Sequence, residues 1–158
     1  MLTKQEIVIM LVVVASHMAI MALTGDWVTV KSFITLQING ANCDIRDNES
    51  YNVFGSICGV PMYELEPVLA PIIYTLMTIN YAVALVLVYL VVIKRIQKGM
   101  VKSLLLTMAV LSVLSPLLWM FVEKKTLPND QKYFLLFGFG TIASFICSVV
   151  SAFLMFFV

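Results

Sequence analysis

Three cysteines, a single histidine and an asparagine sequon are the residues of this chain whose types and spacing could carry covalent or acid-base chemistry. Cys43 and Cys58 lie in the stretch NGANCDIRDNESYNVFGSICG with fourteen residues between them. In an oxidising compartment they can pair, and closing a loop of that size removes unfolded-chain entropy worth about 3 kcal/mol. The other reading of the two is a pair of unbonded, buried thiols. Between them Asn48-Glu49-Ser50 fits the N-x-S acceptor pattern for glycosylation, where a turn would expose it. Cys147 lies far downstream in an apolar run and cannot join the pair, so the odd thiol is set apart from the even pair. No Cys-x-x-Cys and no paired-histidine metal motif occurs. The expectation is therefore a chain with no catalytic residue, no metal site and no cofactor.

The elements that must position these residues follow from composition. The chain has 158 residues, of which 61% are hydrophobic and 12% charged. That is far from the averages of soluble domains and reads as an integral membrane protein. Apolar runs at about 7–23, 67–93, 103–122 and 133–158 each approach the ~20 residues that cross ~30 Å of hydrocarbon. One tetraspan domain over residues 1–158 is expected, with a long loop at 24–66, a short basic loop at 94–102 and a second short loop at 123–132. Lys94, Arg95, Lys98 and Lys102 fill the basic loop without an acid, which places it in the cytoplasm and leaves both termini there. The long loop carries Asp26, Asp44, Asp47, Glu49, Glu64 and Glu66 against Lys31 and Arg46, and suits the outer face. Lys4 ahead of the first apolar run resembles the start of a signal peptide, but the basic region is weak, so the segment is expected to remain as a helix. The net charge of +1 gives no basis for a nucleic-acid partner.

Within the long loop, WVTVKSFITLQI alternates with period two: Val28, Val30, Ile34, Leu36 and Ile38 on one side, Thr29, Lys31, Thr35 and Gln37 on the other. This predicts one strand, reversed at Asn39-Gly40 into a second strand that carries Cys43. A third, around Tyr51 to Ile57, returns to Cys58. The fold class expected is a four-transmembrane-helix bundle with a small disulfide-stapled antiparallel sheet in the first extracellular loop. Such a sheet is too small to hold itself, so the staple and the bundle must support it. Trp27, just past the first span, is either an interfacial anchor or a plug between sheet and bundle, a loop-bundle anchor in either case.

Proline in the first turn of the second span, at Pro71, lacks no needed donor, whereas Pro116 inside the third span should kink it. Gly140, Ser144, Ser148 and Ala152 stand at four-residue steps in the fourth span and predict a flat helix-packing face, used inside the bundle or against another subunit. His17 and Asn80 are the most polar side chains at membrane depth. A lone histidine without an acid makes neither a proton relay nor a metal site, so an interhelical hydrogen bond is its expected use.

Four spans, short cytoplasmic ends and a large first loop holding a tryptophan followed by two cysteines resemble the claudin and peripheral-myelin-protein-22 superfamily, over the full length. On this resemblance Trp27 matches the first-loop tryptophan, Cys43 and Cys58 the disulfide pair, and Asn48 the kind of sequon the myelin branch carries. QINGAN stands where that superfamily usually has Gly-Leu-Trp. The resemblance implies a multi-pass protein of the plasma membrane without enzymatic activity, in contact with membrane lipid and with another integral membrane protein: a channel, a receptor or copies of itself. An auxiliary subunit that regulates such a complex is the first expectation. The short end of the chain, Phe156-Phe157-Val158 within the fourth span, and the small-residue face favour it over cell-cell adhesion or a junction barrier. A small integral membrane enzyme is the third reading, opposed by the scarcity of reactive groups.

Overall fold

A computed structural model describes residues 4–30, 34–38, 41–45, 50–52, 55–61, 64, 67–93, 97–126 and 135–158. Among these are four helices long and apolar enough to cross a membrane: α1 (Lys4–Thr24), α2 (Leu69–Val92), α3 (Lys98–Thr126) and α4 (Phe139–Phe157). Each is an apolar run of good helix length whose ends are set locally. Thr24 returns its hydroxyl to the Ile20 carbonyl where α1 stops, and Gly25 follows. Pro71 sits in the first turn of α2, where backbone N–H groups have no intrahelical acceptor to lose. α3 runs through Pro116 and extends beyond the expected 103–122 at both ends, because polar residues end an apolar run without ending a helix.

The helices close into a ring in which α1 packs on α2 and α4, and α3 packs on the same two. Two apolar clusters fill it. One holds Val12, Ala15, Leu87, Leu105, Met108 and Leu154, and the other holds Ala22, Trp27, Ile73, Met77, Trp119 and Ala143. Between them lie Ser16, Asn80, Ser112 and Ser144, all buried. Outward positions are mostly large and apolar, with Phe156, Val92 and Val149 among the most exposed. Polarity is thus inside and apolarity outside, the reverse of a soluble bundle.

The loop strands depart from the single expected sheet. The alternating segment divides into β1 (Val28–Val30) and β2 (Ile34–Ile38), which join different ladders. β2 pairs antiparallel with β3 (Ala41–Ile45), Ile38 opposite Ala41 and Leu36 opposite Cys43. Only two residues separate Ile38 from Ala41, the spacing of a tight hairpin. Asn39 and Gly40 themselves lie outside the described residues, as does Asn48. The expected third strand is two short ones: β4 (Ser50–Tyr51) against β1, and β5 (Ser56–Ile57) against β6 (Val60–Pro61). Cys58 and Gly59 turn between β5 and β6 with φ of 56° and 78°. Positive φ at both central residues is the primed hairpin turn whose twist matches the strands, which explains a glycine at the second of them.

A further correction concerns the fourth span. Residues within the expected 133–158 run form β7 (Leu135–Phe137), antiparallel to β1 on the side away from β4, and α4 starts only at Phe139. An unbroken apolar run does not by itself distinguish strand from helix, and Gly138, with extended backbone, marks the change.

Candidate interaction site

The loop meets the bundle at Trp27, which is fully buried. Its backbone N–H donates to the Tyr51 carbonyl (2.7 Å), and its carbonyl accepts from Gly138 N–H (2.8 Å) and the Thr141 hydroxyl (2.8 Å). The indole Nε1–H donates to the Ala22 carbonyl at 2.7 Å, one of the last carbonyls of α1, which have no intrahelical partner. The ring meets Trp119 of α3 edge to face, centroids 5.8 Å apart. Gly140 N–H donates to the Asp26 carbonyl at 2.7 Å. One residue therefore joins α1, α3, β4 and the start of α4. The approach is close enough to require glycine: a Cβ at Gly138 would lie 2.6 Å from the Asp26 carbonyl carbon, and one at Gly140 2.8 Å from the Gly25 oxygen.

The hairpin carried by this junction is cross-tied. Cys43 in β3 and Cys58 at the tip of the β5–β6 turn form a disulfide, with Cα atoms 6.1 Å apart and a separation of fifteen positions in sequence. Thr35 Oγ1 donates across β2–β3 to Asp44 Oδ1 at 2.9 Å, on the exposed side. Cys147 is a free, buried thiol in α4 whose Sγ–H donates to the Ala15 carbonyl of α1 at 3.3 Å.

Inside the bundle, Pro116 organises a polar layer. Proline has no N–H, so the carbonyl four residues earlier, Ser112, receives no helical hydrogen bond. The Ser144 hydroxyl of α4 donates to that carbonyl at 2.8 Å. Asn80 Nδ2 of α2 donates to Ser112 Oγ at 3.0 Å, and the Ser148 hydroxyl donates to the Ala109 carbonyl at 2.9 Å. A buried carbonyl that loses its helical donor to proline needs such a side chain to serve it. Ser16 Oγ, Asn80 Oδ1 and Ser151 Oγ are buried with no hydrogen-bond partner among the described residues.

No family model, curated protein or solved structure matches this chain. The geometry alone therefore assigns the parts. Gly140, Ser144 and Ser148 are buried within the bundle, and the two serines bond α3, so these side chains do not present a face to a second subunit. Ala152 departs from their face and is exposed. Four-residue steps drift about 40° each around a helix, so three steps carry Ala152 about a third of a turn away. His17 also differs from expectation. It is exposed on the outer face of α1 beside Val13 and Ile20, whereas Asn80 makes the interhelical bond. Among the described residues, no three His, Cys, Asp or Glu side chains converge as metal ligands would.

Sequence reasoning found Trp27 but not its partners. Gly138 and Thr141 carried a signal, a glycine breaking an apolar run followed by a hydroxyl in the next turn. The residue they serve is more than a hundred positions away.

Proposed function

We propose that the chain is a multi-pass membrane protein, both termini cytoplasmic, that acts without catalysis as an auxiliary subunit of a channel or receptor. On this proposal it is a divergent relative of the claudin and peripheral-myelin-protein-22 superfamily in the plasma membrane, and its disulfide-tied loop is the extracellular recognition surface. Membrane insertion is supported by the inverted polarity of the bundle, with hydroxyls and a carboxamide inside and Ile, Leu, Val and Phe outside. The observation that carries the functional reading is the Trp27 junction, because it fixes the loop to three helices and so presents a preorganised surface. His17 favours a partner within the membrane. An imidazole on an otherwise apolar outer face is costly against hydrocarbon and gains from a hydrogen-bonding neighbour.

The test is purification from the native membrane in mild detergent, with quantification of co-purifying integral proteins for the natural chain, His17→Leu and Cys43→Ser. The reading expects one stoichiometric channel or receptor, depleted in both variants while the monomer stays folded. Copies of the chain alone would replace it with the adhesion reading, and a partner retained equally by both variants would refute the assigned surfaces.

A further inference from the structure

Where α1 and α3 begin and α2 and α4 end, the bundle holds a cavity of about 420 Å³. Its wall is mainly apolar, formed by Val8, Ile9, Val91, Phe157 and Val158, with Gln5 beside them, and Lys4 and Lys98 are the lining residues whose side chains carry charge. Both lysines are exposed, at the first positions of α1 and α3. Glu6, close by in sequence, is not part of the lining. Helix dipoles do not decide the charge preference here, since two positive ends and two negative ends meet at this level and largely offset each other. The two ammonium groups do. An apolar slot topped by two cations, with the volume of a small-ligand site, is complementary to a molecule with an anionic head and a hydrocarbon body.

We propose that this cavity seats an anionic phospholipid, its phosphate between Lys4 and Lys98 and the upper part of its acyl chains against Val8, Val91 and Phe157. The inference rests on membrane insertion, but not on the orientation of the chain or on a protein partner. A juxtamembrane ammonium near a net-anionic lipid strengthens binding by a factor of roughly five. Phosphatidylcholine offers the same phosphate, but its own ammonium group opposes the two lysines, so the preference for the anionic lipid reaches at most roughly thirty-fold. Apolar contact with the wall holds the lipid when inorganic phosphate alone is not held.

The experiment places the full chain in nanodiscs of equal phosphatidylglycerol and phosphatidylcholine and reads the retained lipids by native mass spectrometry. Phosphatidylglycerol should be enriched tenfold or more. Lys4→Gln with Lys98→Gln should return the ratio to that of the disc, and the paired change to Arg should keep the enrichment. Lys102→Gln, one turn along α3 and outside the lining, should also keep it. Equal retention of both lipids overturns the proposal, as does enrichment that survives the paired Gln change. Displacement by millimolar inorganic phosphate would make this a free-anion site and overturn the choice of lipid. A chain that does not enter the disc refutes membrane insertion itself, whereas one that enters without preference refutes only the lipid site.

Discussion

The link between Pro116 and Ser144 makes a quantitative claim that a double-mutant cycle can test. Ser144→Ala removes the donor to the Ser112 carbonyl, and because residue 116 has no N–H, no helical bond replaces it. A buried acceptor left unmet costs about 1–3 kcal/mol. Interhelical hydrogen bonds in membrane proteins average about 0.6 kcal/mol and reach about 1.7. An acceptor without a backbone alternative belongs near the top of that range, so the loss should be about 1.5 kcal/mol. In a Pro116→Ala background the new N–H at 116 can reach the same carbonyl, and Ser144→Ala should then cost about 0.5 kcal/mol or less. The predicted coupling is about 1 kcal/mol, above the ~0.3–0.5 kcal/mol within which independent sites add. The assay is reversible unfolding in mixed detergent micelles, followed by loss of helical circular dichroism for the four chains of the cycle. A coupling indistinguishable from zero would refute the claim that Ser144 replaces the bond proline removes.

Three further outcomes are expected. Cys43→Ser should remove about 3 kcal/mol of loop stability, read as faster protease cleavage between residues 43 and 58 of the purified chain in detergent. Gly138→Ala drives a methyl into the Asp26 carbonyl and should destabilise the folded chain by about 1–3 kcal/mol, seen as a lower thermal midpoint in detergent. Trp27→Phe keeps most of the ring volume but leaves the Ala22 carbonyl without its donor, for about 1–3 kcal/mol, while Trp27→Ala should cost about 3–5; near-ultraviolet circular dichroism of Trp119 reports the loosened contact in both.

The helices were readable because runs of apolar residues long enough to cross hydrocarbon are rare by chance. Which way each helix faces was not. α1 is apolar on every side, so nothing in its pattern told that His17 would point outward while Ser16, beside it, would be buried. The strand at Leu135–Phe137 was lost inside an apolar run for a related reason: its pairing partner, β1, lies at the other end of the chain. Local rules did reach part of the polar layer. Proline chemistry identifies Ser112 as a residue with a freed carbonyl, but only the packing of α3 on α4 supplies Ser144 as the donor. In the loop the alternation of Val28 to Ile38 could not reveal that Val28–Val30 and Ile34–Ile38 pair with different strands.

The Trp27 junction also sets an order of events during synthesis. The tryptophan emerges early, but the groups that close over it, Gly138 and Thr141, arrive last, the second of them 114 residues later. Chains fold as they are made, and contacts this distant in sequence form late. Until α4 is in place, the Trp27 carbonyl has neither of its donors and the indole cannot be sealed from that side. The junction therefore marks completion: a chain lacking α4 leaves the Trp27 carbonyl without its two donors and the β1 edge without β7.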